Sequence, residues 1–160
     1  MPTGFDVTPR AMQRRLAIMT ESRQSIEFVD ITDRLSALVE EAGLKDGLVL
    51  VFTRHTTTGL LINEHEPLLL DDLRRMFEHL APAAAAYGHD DPERRTVNLT
   101  PNERRNGHSH CRALFLRSSE TLQVVDGALA LGRWQRVFFV DFDGGQRREV
   151  AVMLLEFPGT

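Results

Sequence analysis

Apolar and polar positions change period several times along these 160 residues, and each change marks an element. Residues 13–21 alternate like a strand, and residues 25–31 carry Ile26, Phe28 and Val29 as a second. Thr32 and Asp33 then offer helix-capping side chains. Leu35, Leu38, Val39 and Ala42 fall at i, i+3, i+4 and i+7 before Gly43, so the spacing predicts an amphipathic helix over 33–43. Residues 47–53 and 59–63 are short continuous apolar runs, the pattern of buried strands. Pro67 opens a second helix over 68–80, with Leu69, Leu70, Leu73, Phe77 and Leu80 on one stripe and Asp71, Asp72, Arg74 and Arg75 off it.

Residues 81–107 break the rhythm: an alanine-rich stretch leads into a charged, turn-rich run with Pro92, Pro101 and Asn106-Gly107. A loop this long inside a compact domain is functional or disordered. Residues 111–116 are expected to form a helical turn or two packed by Leu114 and Phe115, followed by strands over 121–125, 133–142 and 149–157. Strands and helices without a βαβ rhythm imply an α+β domain with a largely antiparallel sheet. The expected layout is a flexible tail over 1–12, loosened by Pro2, Gly4 and Pro9, and one domain over 13–160.

Composition narrows the partners. Net charge is −4, with 18 arginines against the single Lys45, so bulk electrostatics give no reason to expect nucleic acid or an anionic membrane. The lone Cys111 has no internal disulfide partner, no apolar run approaches bilayer length, and the start lacks a signal-peptide core. A cytoplasmic protein is the expectation.

Candidate chemistry centres on histidine. His108 and His110 follow the Asn106-Gly107 turn at i, i+2, His89 stands upstream beside Asp90, and His55 precedes Thr56, Thr57 and Thr58. Neutral imidazole is the commonest metal ligand and titrates near neutrality, so this set points to a metal site, proton transfer or both. His89, His108 and His110 plus water would give Zn²⁺ an open catalytic position, Mg²⁺ being the alternative ion. Glu64 or Asp90 would then serve as general base or orient a ligand histidine. The hydroxyls of Thr56 to Thr58 are natural donors to an anion, and Arg112, Arg117 and Arg133 are candidate phosphate partners. Asp71 and Asp72 lie about 100° apart on a helix, so one at most faces a site. His65 and His79 read as surface residues, Cys111 as a packed thiol, and Trp134 as a core or intersubunit residue.

Four ordered blocks, running from His55 to Glu64, from Tyr87 to Asp90, from Gly107 to His110, and from Asp126-Gly127 to Leu131-Gly132-Arg133-Trp134-Gln135, make the chain resemble the YjbQ-like family over about residues 14–157. The resemblance implies a compact α+β fold with a mixed, barrel-like sheet, two or three flanking helices, a homotrimer, and a histidine-rich site near a subunit boundary. It also implies secondary thiamine-phosphate synthase activity, which joins a pyrimidine pyrophosphate to a thiazole phosphate. Within that pattern His55, Asn63, Glu64, Asp72 and Asp90 are the catalytic candidates. The chain departs from the family at Arg133, where threonine is usual, and at Arg117, where many members have glycine. Two other classes fit the same residues: a metal-dependent hydrolase, and a non-enzymatic trimer that binds metal or ligand.

Overall fold

A computed structural model describes residues 8–21 and 26–157. In chain order these form β1 (Arg10–Met19), β2 (Glu27–Asp30), α1 (Thr32–Ala42), β3 (Gly47–Thr53), β4 (Thr58–Glu64), α2 (Pro67–Leu80), α3 (Gly107–Ala113), β5 (Ser119–Val125), β6 (Ala128–Leu129), β7 (Gln135–Asp141) and β8 (Arg147–Glu156). A single 3₁₀ turn, Gly88–Asp90, interrupts the long segment between α2 and α3. The α+β class holds, with two sheets in place of the single one expected, one of them curled into a half-barrel. Their orders are β1-β8-β3-β5-β6 and β2-β7-β4, and every pairing among the described residues is antiparallel.

Burial explains why the strands read as they do. Val137 and Phe139 of β7 pack with Val49, Val51, Val152, Leu35 and Val39 in the main core. Phe138 and Val140, one residue out of phase, pack with Leu70, Phe77 and Phe142 beneath α2. A strand covered on both faces has no polar face to alternate, hence the unbroken apolar run from Val137 to Val140. In β8 Arg148, Val150, Val152 and Leu154 are the buried positions, and alternation survives.

Several boundaries differ from the sequence expectation. Residues 10–12, assigned to a flexible tail, pair with Glu156, Leu155 and Leu154 as the start of β1, while the rest of that tail up to residue 7 lies outside the described residues. Ser25, the expected start of the second strand, also lies outside them. Leu80, expected on the buried stripe of α2, is half exposed because the helix ends there. β6 had no periodic signal, being two residues long.

Caps fix both long helices. Glu66 accepts from the backbone N–H groups of Leu68 and Leu69 to start α2, and Gly43 closes α1 at φ +65°, a conformation open to glycine. Asp30 Oδ1 accepts from the backbone N–H and hydroxyl of Thr32 at 2.9 and 2.7 Å, and Oδ2 accepts from Arg136 at 2.7 Å and pairs with His65 at 2.9 Å. Burial alone would raise this carboxyl, but those hydrogen bonds outweigh it and hold the pKa at about 2. A depressed carboxylate pKa gives stability that is complete above the unfolded value of 3.8 and is lost as pH falls through about 2. Acid denaturation followed by circular dichroism should therefore show a limb between about pH 4 and 2 that Asp30→Asn flattens; an unchanged limb would remove Asp30 from the account.

Candidate functional site

The β3–β4 turn, the β7–β8 turn, the segment before α3 and the face of α3 enclose an open cleft of about 640 Å³. Three of the six histidines, His55, His89 and His110, line it together with Thr56 and Thr57. The short turn is tied at its base, where the hydroxyls of Thr53 and Thr58 meet at 2.6 Å and Thr58 also donates to the His55 carbonyl at 3.1 Å. Thr57 and Thr58 are buried, which leaves Thr56 as the exposed hydroxyl of the three.

The decisive local feature is where α3 begins. A helix was expected from residue 111, after a loop, yet it starts at Gly107, so His108 and His110 are both helical. Residues at i and i+2 on a helix are separated by about 200° and face opposite ways. His110 therefore meets His89 in the cleft, ring centroids 4.6 Å apart at 60°, while His108 turns to Tyr87 at 6.2 Å and does not line the cleft. The expected ligand trio is not brought together, and no group of three or more His, Cys, Asp or Glu that could hold a metal ion occurs among the described residues.

Asp90 explains why α3 starts early. Its Oδ1 accepts from the backbone N–H groups of Asn106 and Gly107 at 3.0 and 2.9 Å, so the carboxylate expected to be catalytic caps this helix from the 3₁₀ turn. Gly107 lets the turn approach, since a Cβ there would stand 2.5 Å from that of Tyr87. Ser109, fully buried, donates to the Phe142 carbonyl at 2.6 Å and pins α3 to the residue that follows β7. Asp90→Ala should cost about 1–2 kcal/mol in chemical denaturation, because two N–H groups lose their acceptor. A variant as stable as the parent would show that solvent replaces the cap.

The three cleft histidines differ in what holds them. His55 Nε2 accepts the backbone N–H of Glu149 at 3.1 Å, and His89 Nε2 faces Arg95 Nη1 at 3.1 Å, where arginine has only protons to give. Both rings, when neutral, thus carry their proton on Nδ1. The ring nitrogens of His110 make no hydrogen bond among the described residues. Burial, with Arg148 next, lowers the pKa of His55; burial, with His89 next, lowers that of His110. In both rings the neutral form is thereby favoured.

Other expected residues lie elsewhere. Asn63 and Glu64 pair with Arg136 and Gln135 at the far end of β4, about 20 Å of strand from Thr58. Asp72 is ion-paired with Arg75 on the exposed face of α2. Arg112 is buried against Glu78 and the Ala81 carbonyl, Arg117 pairs with Glu120 at 3.7 Å in solvent, and Arg133 stacks on Trp134 at 4.7 Å. Trp134 is 61% exposed and so is not a core residue of this chain; Cys111 is also exposed, not packed. The arginines that do line the cleft are Arg54, Arg95, Arg104 and Arg148. Arg148 left a signal in the sequence: it shares the inward alternation of Val150, Val152 and Leu154, where a charge needs a buried partner.

The profile of the UPF0047 protein YjbQ-like family matches residues 15–156. The chain belongs to the YjbQ-like family. A UPF0047 protein of Methanothermobacter thermautotrophicus is 37% identical over 91% of this chain and 92% of its own length. YugU, a UPF0047 protein of Bacillus subtilis, is 30% identical over 90% and 99% respectively. Among solved structures, a YbjQ-like protein of unknown function from Sulfolobus solfataricus superposes with a TM-score of 0.79 at 29% identity, covering 93% of this chain and 99% of that one. A YjbQ/UPF0047 protein of Clostridium acetobutylicum gives 0.74 at 30% identity, covering 88% and 98%. The fold of this YjbQ-like chain is thus a family property over almost its full length.

Proposed function

We propose that the cleft binds a phosphorylated small molecule and that His110 donates its N–H to the departing oxygen there, in a transfer of the kind the family resemblance implies: the ring nitrogen of a thiazole phosphate forms a C–N bond to the carbon that bears the pyrophosphate of the pyrimidine partner, as the C–O bond to that pyrophosphate breaks. The observation that carries this reading is the convergence of His55, His89 and His110 with Thr56 and four arginines in one cleft. Displacement of pyrophosphate leaves the bonding electron pair on the departing oxygen, so the protein must chiefly neutralise charge. Guanidinium groups suit phosphate oxygens for that purpose. Neutral His110, open at both ring nitrogens, offers one lone pair and one N–H to a reacting group.

Incubation of the protein with both phosphorylated partners should release pyrophosphate only when the two are present. Release from one partner alone would favour a hydrolase, which needs water and no second acceptor. No release, with no rise in melting temperature at millimolar phosphate or pyrophosphate, would remove the phosphate reading.

A divalent ion is the second reading, favoured by the close approach of His89 and His110. Two nitrogens fall short of a zinc site, and His89 Nε2 would have to leave Arg95, whose positive charge opposes a dication. Metal analysis of protein purified without added metal tests it, with about one ion per chain as the supporting result.

The chain is also expected to form a homotrimer. The outer face of the five-stranded sheet carries Phe52 at 38% exposure beside Leu50 and Met153, and Trp134 stands in solvent. No helix among the described residues is long and apolar enough to cross a membrane. Light scattering at micromolar concentration should give three times the mass of the chain; a stable monomer would overturn this expectation.

A further inference from the structure

We infer that Arg148 grips the anionic end of the cleft's ligand, a single phosphate group borne by a small molecule. This rests on the phosphate reading of the cleft and deepens it. Arg148 is only 7% exposed, and most of its guanidinium is spent on the protein. Nε donates to Asp141 Oδ2 at 2.8 Å, and Nη2 donates to Asp141 Oδ1 at 2.9 Å, to the Asp143 carbonyl at 2.8 Å and to Thr57 Oγ1 at 3.4 Å. Nη1 makes no hydrogen bond among the described residues, and it is not sealed from solvent. The residue lines the cleft, so this terminal nitrogen is the part of a buried charged side chain left open to a ligand.

An ion pair that served stability alone would need only the edge facing Asp141. Here the carboxylate is itself locked, since Asp141 also accepts from the Thr20 hydroxyl and the Asp143 backbone N–H, each at 2.9 Å. The guanidinium is thereby held in one orientation before any ligand arrives, which spares the side-chain entropy that binding otherwise costs. The other cleft arginines are placed differently. Arg95 and Arg104 are tied to Glu103 and Asp143, and Arg54 sits on the rim with its side chain 66% exposed. Two N–H groups on Nη1 match the oxygens of one phosphate, with the exposed Thr56 hydroxyl available at the mouth.

The test uses the intact ¹⁵N-labelled chain and inorganic phosphate, with acetate as the competing oxyanion. Arg148→Lys keeps a positive partner for Asp141 but cannot serve Asp141 and the ligand at once. It should weaken phosphate binding by about tenfold or more while circular dichroism stays native. In the wild-type chain the Arg148 guanidinium resonance should shift with phosphate and barely move with acetate, a readout independent of whether the variant folds. A folded Arg148→Lys that binds phosphate as the parent does, an Arg148 signal indifferent to bound phosphate, or tighter binding of acetate would overturn the assignment. A wild-type chain that binds neither phosphate nor pyrophosphate would instead sink the phosphate reading of the whole cleft.

Discussion

Asp141→Ala should lower the free energy of unfolding by about 3–5 kcal/mol, a large share of the stability of a domain this size. Asp141 is fully buried and binds Arg148 through both oxygens, at 2.8 and 2.9 Å, with Thr20 and the Asp143 N–H completing its set. Truncation leaves the largely buried Arg148 charge without the carboxylate that compensates it, and an uncompensated buried charge costs far more than the pair contributes. The double variant Asp141→Ala/Arg148→Met should recover much of the loss, since no charge then remains buried. Denaturant unfolding of the four members of this cycle gives the coupling directly. A single variant within about 1 kcal/mol of the parent would mean that the opening at Nη1 lets water solvate the whole guanidinium once the carboxylate is gone.

His110→Ala should reduce turnover by about 10²–10⁴-fold with little loss of stability. The ring is half-buried, packs edge to face on His89 and makes no hydrogen bond among the described residues, so its removal vacates no core position and orphans no partner. His108→Ala is the matched control, because it removes the same group from the opposite face of α3 and should leave turnover unchanged. Pyrophosphate release, thermal unfolding and metal content measured on both variants separate the roles. A His110 variant that melts early with unchanged activity would make this a packing residue, whereas lost metal with lost activity would favour the metal reading. If His108→Ala abolished turnover instead, the division of α3 into cleft and outer faces would be wrong.

Local pattern made the outer elements legible. α1 and its Gly43 cap, the Pro67 start of α2, and strands β3, β4, β7 and β8 follow from period and punctuation within a few residues. The long segment between α2 and α3 was marked out by its own irregularity, and it does carry His89 and Arg95 to the cleft. Of the candidate site residues, His55, Thr56, Thr57, His89 and His110 line that cleft, all of them close to turns where short motifs concentrate. Asn63, Glu64, Asp72, Arg112, Arg117 and Arg133 do not, because adjacency in a motif or a shared charge says nothing about which end of a strand or which side of a helix a side chain occupies.

The sequence by itself determined the α+β class, the identity and order of most elements, and the set of histidines worth suspecting, since these depend on periodicities and caps read within a few residues. Tertiary structure alone decided that the strands divide into two sheets, with β7 buried on both faces. It also decided, through a capping bond from Asp90 sixteen and seventeen residues upstream, that α3 begins at Gly107 and turns His108 away from His110. The choice of Arg148 over other arginines belongs to the same level. Its partner Asp141 is near in sequence, but the burial that makes the pair matter comes from Thr20 and Thr57, on segments far away along the chain. Long-range packing selects among side chains that local pattern leaves equivalent, because burial and charge compensation are properties of a neighbourhood and not of a position in the chain.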